Sequence, residues 1–303
     1  MHPSKSTGWN PCSSLRQAMI TTTASAAETD GWQASLRLEL RVDGRRGRTV
    51  LTACRHQGPL QLQRPFYPEA DGACHLYILH PPGGVVGGDN LELDVGLATV
   101  AQALITTPSA SRFYRSAGPV ARQLQSLRIG EGAALEWLPQ ETILFAGTRA
   151  QALTRVELSG GSRFLGWEIL CLGRPAAGEH FTHGAFIQGF ELWRDGLPLY
   201  LERGRFHGAD RLSTALWGMA GQPVTATLLC TLEHTGLVEA IRTDWGDAGE
   251  TELFGATQLD GVLVCRYRGS SVGRARELFL RAWRLLRPAL LGKPPRPPRI
   301  WQT

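Results

Sequence analysis

Residues 74–95 read CHLYILHPPGGVVGGDNLELDV, and this stretch carries the clearest structural signal in the chain. Apolar alternating runs at 74–79 and 90–95 flank ten residues, 80–89, that contain four glycines, two prolines and one carboxylate. Glycine accepts positive φ and close backbone approach, whereas proline fixes φ. The pattern predicts two β-strands joined by a shaped loop that presents Asp89.

Phosphate binding is the first function to test for a glycine-rich segment such as 80–89. A phosphate-binding loop needs a Lys-Ser or Lys-Thr pair after its glycines, followed by a helix. Here Asp89 and a strand-like run follow the glycines, which argues against nucleotide binding at this loop. A structural turn without chemistry of its own stays open as the alternative to a functional loop.

Alternation of apolar and polar residues continues on both sides of this stretch. Residues 34–42, ASLRLELRV, place three leucines and a valine on one face and charged side chains on the other. Similar runs recur as far as residue 268, with turn signals about every ten residues. This rhythm predicts a mostly β protein and leaves a sandwich, a barrel and a β-solenoid open. No exact internal repeat supports a solenoid built from regular repeats.

Helical periodicity is confined to two segments near the C-terminus. Residues 235–245 form a short candidate, and a longer one runs from about 271 to 287 with a serine cap and one apolar stripe. Pro288 is expected to end or kink the longer helix. The Pro-rich tail, 293–303, is expected to be an extended arm, neither helix nor central strand, that Trp301 anchors.

Composition places the chain among ordinary globular proteins. It has 303 residues, 43% of them hydrophobic, a formal net charge of +5 and six widely spaced cysteines without a Cys-x-x-Cys motif. No apolar run approaches the roughly 18 residues that a membrane span needs. We therefore expect a cytoplasmic protein without disulfides, with residues 1–30 as a disordered leader and one β-rich domain over 31–303. Nucleic acid is not expected as a partner because no binding motif accompanies the basic charge, whereas an acidic protein surface is.

Motifs for catalysis are sparse. Neither Gly-x-Ser-x-Gly nor His-Glu-x-x-His occurs, and His180 and His183 lie in a loop or strand context that favours at most a transient metal site. Asp89, Glu141 and Glu179 are carboxylates in apolar or Gly/Pro-rich settings, where each needs a partner or a wet cavity. Two of them could act as an acid pair in glycoside hydrolysis, but an ion pair, for instance with Arg174, is the simpler explanation. The residues favour a binding protein over an enzyme.

Several longer motifs occur in the order typical of one family. Together they span about residues 31–303 and resemble the urease accessory protein UreD family, called UreH in some organisms. The motifs are residues 32–34, 63–69, 80–89, 106–116, 137–145, 172–179, 286–288 and 298–301.

The resemblance implies a non-catalytic scaffold for nickel insertion. Members of the family bind the urease apoprotein and recruit UreF and the GTPase UreG. The implied fold is a single mostly β domain of helical-β, solenoid-like character with two α-helices, the longer near the C-terminus. An internal channel is expected to lead Ni²⁺ towards the urease active site, with weak nickel binding and no permanent cofactor.

Transfer through such a channel requires polar groups that each hold Ni²⁺ weakly, because a deep site would trap the ion. On this hypothesis Asp89 and Glu179, followed by Glu141, are expected to line the path, and Arg174 to orient one of them. The alternative is that these three acids hold the fold through buried hydrogen bonds. A β-helical carbohydrate-active hydrolase that uses paired carboxylates is the alternative function. The expected partner contacts are Arg274, Arg281, Arg284 and Arg299.

Overall fold

Strands make up 49% of the structure and helices 15% in the computed structural model. The structure describes residues 31–302 apart from 248, 250 and 251. The expected leader, 1–30, lies outside the described residues.

Seven strands form sheet 1, in the order β15-β14-β11-β8-β5-β1-β2. These strands are β1 Gln33–Asp43, β2 Arg48–Gln57, β5 Asn90–Leu97, β8 Ala121–Ile129, β11 Arg149–Leu158, β14 Ala185–Arg194 and β15 Leu197–His207.

Sheet 2 faces it and follows the order β17-β18-β16-β12-β9-β6-β4-β3, with three short strands attached beside this path. Its main strands are β3 Gln61–Leu62, β4 Cys74–Leu79, β6 Gln102–Thr106, β9 Ala134–Trp137, β12 Arg163–Arg174, β16 Val224–Cys230, β17 Leu253–Leu259 and β18 Val262–Gly269. The attached strands are β7 Ser111–Phe113, β10 Thr142–Leu144 and β13 Glu179–His180.

The chain winds between the two sheets as a helical-β fold. From β4 to β14 the main strands alternate between sheet 2 and sheet 1, so each turn of the chain adds one strand to each sheet. Successive strands within a sheet are therefore parallel, as in β5-β8-β11-β14 and β4-β6-β9-β12. The solenoid-like, mostly β fold that the family resemblance implied is confirmed.

Apolar side chains fill the space between the sheets. On β1, Leu36, Leu38 and Leu40 are buried while Arg37 and Glu39 face outwards, which confirms the alternation seen in the sequence. A second core lies between sheet 2 and the C-terminal helices, because every second residue of β12 points to that side. Sheet 2 is thus covered on both faces, whereas the outer face of sheet 1 carries charged side chains.

Three helices pack after the main winding: α1 Arg211–Thr214, α2 Thr235–Trp245 and α3 Val272–Leu291. The two longer helices were expected, and α1 is a single turn that the sequence did not indicate. No helix in the described part of the chain combines the length and apolarity needed to cross a bilayer.

The C-terminal helix differs from expectation at its end. Ser271 caps its start, since the Ser271 hydroxyl accepts from the Arg274 backbone N–H at 3.2 Å, as predicted. The prediction that the helix ends near residue 287 is wrong, because it continues through Pro288 to Leu291. Only one backbone donor is lost at Pro288, and burial of Leu290 holds the last turn in place.

The tail beyond α3 also departs from a fully extended arm. Its last described residues form a 3-10 helix, Arg299–Gln302, which the sequence did not predict. Trp301 anchors the tail as expected: its ring lies 5.8 Å from that of Trp167 and 6.1 Å from that of Trp283, and its Nε1 donates to Thr106 at 3.0 Å. Packing of these rings outweighs the extended preference of the preceding prolines.

A buried charge network ties α3 to sheet 2. Arg287 is 0% exposed, and its guanidinium donates to Glu69 at 2.6 Å and to both oxygens of Glu136 at 3.0 Å. Trp283 donates to Glu136 at 2.7 Å, and His75 lies 2.7 Å from Glu69. These contacts join the helix, β9, β4 and the segment before β4.

The pKa values of the two carboxylates in this network are shifted in opposite directions. Burial raises the pKa of Glu69, but hydrogen bonds from His75 and Arg287 outweigh it and lower that pKa to about 2. Its contribution to stability is therefore present above the ordinary glutamate pKa and is lost as the pH falls towards 2. Burial raises the pKa of Glu136, and the Arg287 charge opposes that rise.

Arg287→Ala is expected to lower the free energy of unfolding by about 3–5 kcal/mol, because it leaves two buried carboxylates without their cation. Arg284→Ala is the matched control, since Arg284 is exposed on the same helix. Its change should stay within about 0.5 kcal/mol. Urea denaturation at neutral pH measures both, and equal midpoints would show that the network does not stabilise the fold.

Candidate functional site: a polar row between the sheets

Polar side chains interrupt the apolar space between the sheets. Glu168, on β12 of sheet 2, contacts the Thr154 hydroxyl with one carboxyl oxygen and accepts from the Gln188 amide with the other. Thr154 also lies 2.7 Å from the Gln125 side-chain oxygen. Glu202 registers with Phe190, and Phe190 registers with Thr154, so Glu202 lies on the same inner face of sheet 1. We call Gln125, Thr154, Glu168, Gln188 and Glu202 the interior polar row.

Glu168 is the titratable centre of this row. Burial raises the pKa of Glu168 to about 7, more than the hydrogen bonds from Thr154 and Gln188 lower it. The Thr154 hydroxyl has one hydrogen but two acceptors within reach, so both contacts are satisfied together when Glu168 carries a proton. The carboxyl therefore changes charge near neutral pH.

At its Glu202 end, the row contacts Tyr200 and Arg266. The Tyr200 hydroxyl donates to Glu202 at 2.8 Å, and Arg266 donates to the Tyr200 oxygen at 2.6 Å. Arg266 also pairs with Glu202 at 3.0 Å. Glu202 therefore has its own cation, whereas the Glu168 carboxyl has neutral hydrogen-bond partners.

A cavity of about 80 Å³ adjoins the interior polar row at Gln125. Gln123 and Gln125 form one side, and His80 and Trp137 lie in its wall. The Trp137 Nε1 and His80 Nε2 atoms are buried without a hydrogen-bond partner in the described structure. A water needs roughly 10–15 Å³ of such space, so the cavity has room for several waters beside these atoms. The loop at residues 80–89 thus lines an interior space whose wall is mostly apolar but includes His80, Gln123 and Gln125.

Asp89 holds this loop in place. One carboxyl oxygen accepts from the Trp32 backbone N–H at 2.8 Å and the other from the Val86 N–H at 2.9 Å. A Cβ at Gly31 would stand 2.2 Å from the Gly88 backbone, so glycine is needed where the two segments cross. This geometry is the structural alternative noted from the sequence, and a role for Asp89 in nickel transfer stays a prediction.

Glu179 lies on β13. It accepts from the Ala146 backbone N–H at 2.8 Å and forms an ion pair with Arg174, which confirms the expected pairing of that arginine. The Ala146 hydrogen bond, assisted by Arg174 and His183, lowers the pKa of Glu179 and outweighs the opposing effect of burial. Its carboxylate is ionised, half-buried and already engaged.

Glu141 has a third, separate environment. It pairs with Arg276 at the start of α3, beside a groove that Trp301 also lines. Asp89, Glu141 and Glu179 thus each have their own donors. Across residues 31–302, where described, no group of three or more His, Cys, Asp or Glu side chains could hold a metal ion.

The arginines expected to contact partners lie on α3 and in the tail. Arg274 pairs with Glu277 at 3.1 Å, and Arg281 pairs with Asp244 at 2.8 Å. Arg284 and Arg299 are exposed. Their role in partner binding stays a prediction.

The sequence reasoning missed Glu168. A signal was present, since Glu168 is the one carboxylate in the otherwise apolar run FLGWEILCL, and a carboxylate there needs partners. Only the packing of sheet 2 on sheet 1, which brings β12 against β11 and β14, shows those partners to be polar and interior.

Fold and site together define a solenoid-like β-protein with a row of polar side chains in an otherwise apolar interior. A sequence profile described as UreD urease accessory protein matches residues 33–302. A urease accessory protein UreD of Azoarcus sp. is 47% identical over 91% of this chain and 96% of its own length. One from Citrobacter koseri is 44% identical over 94% and 96%, and a UreD 2 of Brucella anthropi is 45% identical over 90% and 99%. The chain belongs to the UreD family of urease accessory proteins.

Glu168→Gln should change how stability depends on pH. Because the pKa of Glu168 is raised in the native protein, this carboxyl stabilises the fold most at pH values below the ordinary glutamate pKa. This stabilisation is lost as the pH rises through about 7. The wild type should therefore lose up to roughly 3 kcal/mol relative to the variant between acidic and mildly alkaline pH.

Urea unfolding of both proteins across that pH range measures the difference. Glu239→Gln is the control, because Glu239 is exposed on α2. Parallel stability curves for the wild type and Glu168→Gln would show that Glu168 is not desolvated in the native state.

Proposed function

We propose that this protein is a scaffold in urease maturation that passes Ni²⁺ to the urease apoprotein through its interior. Membership of the UreD family supports the role in urease maturation. UreF and the GTPase UreG are proposed as the other partners, in the cytoplasm. The protein itself is proposed to have no catalytic centre and no permanent cofactor, and Ni²⁺ is its cargo.

One observation carries the proposed route: a carboxyl lies between the sheets among neutral oxygen and amide groups. Glu168 contacts Thr154 and Gln188 and has no ion pair in the described structure. A structural carboxylate of this fold has a cation or backbone donors, as Glu136 and Asp89 do. Because Glu168 has no cation of its own, its carboxylate can bind a cation that passes between the sheets.

The chemistry of the row suits transfer better than storage. Carboxylate, amide and hydroxyl oxygens are weak ligands for Ni²⁺, whereas imidazole and thiolate bind it more strongly. A single carboxylate flanked by neutral oxygens binds the ion weakly, because it does not complete the coordination shell. Because the pKa of Glu168 is about 7, its affinity for the ion also falls as the proton returns.

Other residues extend the proposal. Asp89, Glu141 and Glu179 stay candidates for further steps of the path, and the arginines of α3 and the tail for partner contact. The loop at 80–89 leads into β5 and not into a helix, so it lacks the phosphate-binding arrangement that GTP hydrolysis needs. We therefore assign that reaction to UreG.

Glu168→Gln should assemble with apo-urease, UreF and UreG but should slow nickel-dependent activation about tenfold, because the amide cannot carry the negative charge. The assay mixes purified apo-urease with the three accessory proteins, Ni²⁺, bicarbonate and GTP, and follows urease activity. Asp89→Ala, Glu141→Ala and Glu179→Ala are tested beside it, with Glu239→Gln as the control.

Each result has a clear consequence. Normal assembly with slow activation supports the interior route, and the pH profile of activation should shift with Glu168→Gln. Normal activation in that variant contradicts a route through Glu168. A wild type that neither binds apo-urease nor promotes its activation contradicts the proposed function itself.

A further inference from the structure

The outer face of sheet 1 has a charge pattern that the interior route does not explain. Towards the ends of its parallel strands, basic side chains are neutralised by neighbouring acids. Arg37 and Arg128 share Asp94 and Glu39 in this way, and Arg155 and Arg203 share Glu191. Such networks fix side chains and leave little charge for a partner.

Towards the starts of the same strands the cations have no such neighbours. Arg149 on β11 and His207 on β15 both register with Ala185 of β14, so they stand on one face, and Arg205 lies two residues from His207. Arg115 lies beside them through a backbone bridge to Thr148. In the part of the chain that the structure describes, Arg115, Arg149 and Arg205 form no ion pair.

Arg115, Arg149 and His207 border an open groove of about 840 Å³. Arg115, Arg149, His183 and His207 line it together with small residues, and no carboxylate is among its lining residues. We call it the basic groove. Its volume exceeds that of a single small ion and suits several side chains of a protein segment.

Backbone geometry builds the groove. Gly147 has φ +83°, and a Cβ there would stand 3.0 Å from His183 Nε2 and 3.1 Å from Arg115 Cβ. The glycine therefore lets an arginine and a histidine from distant segments approach each other. A guanidinium and an imidazole at one place can both donate to an anion placed between them.

The acids nearest to the groove cannot supply that anion. Glu179 feels the charge of His183 but is bound by Ala146 and Arg174. Asp210 lies near His207, yet its carboxylate caps α1 by accepting from the Ser213 N–H at 2.9 Å. The groove thus offers donors and positive charge that the described part of the chain does not use.

We propose that the basic groove docks a carboxylate-bearing segment of apo-urease. This inference rests on the proposed function, since urease is the protein that the family's description names. Arginine recognises carboxylates through paired hydrogen bonds, and several cations around one groove favour a segment with more than one acid. The charges of the basic groove orient apo-urease and raise its rate of association, whereas the interior polar row binds the passing Ni²⁺.

A charge-reversal pair tests the groove. Arg115→Glu with Arg149→Glu should weaken binding to apo-urease about tenfold or more at low salt, and wild-type binding should weaken as salt rises. The matched control is Arg41→Glu with Arg55→Glu, which changes net charge equally at exposed positions of β1 and β2. Surface-immobilised apo-urease reports affinity, and circular dichroism confirms that both double variants are folded.

Carbodiimide coupling locates the contact. The chain has only two lysines, Lys5 and Lys293, so the amine background is low. Arg149→Lys keeps the charge and places an amine in the groove, whereas Arg41→Lys places one outside it. Arg149→Lys alone should couple to urease carboxylates, and mass spectrometry of the product identifies the acidic segment.

The outcomes separate this inference from the proposed function. If the wild type binds apo-urease and both double variants bind it with equal affinity, docking at the basic groove is contradicted and the maturation role is not. Coupling of Arg149→Lys to UreF or UreG in place of urease has the same consequence. Groove-dependent binding of RNA in preference to apo-urease also overturns it. No wild-type binding to apo-urease at all overturns both.

Discussion

The placement of the C-terminal helix depends on one buried cation. Arg287 lies between α3 and sheet 2, where its guanidinium meets carboxylates from β9 and from the segment before β4. A buried arginine is tolerated only when its donors are satisfied, so three distant parts of the chain must meet in one geometry. The same guanidinium donates to the Pro294 carbonyl, which extends this constraint to the tail.

The interior contains a second polar system of a different kind. Around Arg287 one buried guanidinium bridges two carboxylates, which favours a single rigid arrangement. Around Glu168 the partners are neutral, and a cavity adjoins the row at Gln125. One system holds the helical layer on sheet 2, and the other leaves an ionisable group between the sheets. The solenoid winding makes both possible, because each turn of the chain adds one inward-facing row to each sheet.

Much of the architecture could be predicted from local patterns. The alternation in residues 34–42, the loop at 80–89 and the serine cap of α3 all have short-range causes, and each appears in the structure. Errors arose where tertiary packing outweighed local preference. Pro288 did not end α3 because Leu290 is buried, and the tail closed into a 3-10 helix because Trp301 packs against two other tryptophans.

Sequence alone determined the mostly β character, the positions of the two longer helices and, through long motifs in order, the family resemblance. These depend on periodicity and on residue order, which are local or linear properties. Only the tertiary structure decided which polar residues meet. Glu168 meets Thr154 and Gln188, Arg287 meets Glu69 and Glu136, and Arg115 approaches His183. Such pairs join residues from different strands or helices, and their proximity follows from strand register and helix packing that no single segment specifies.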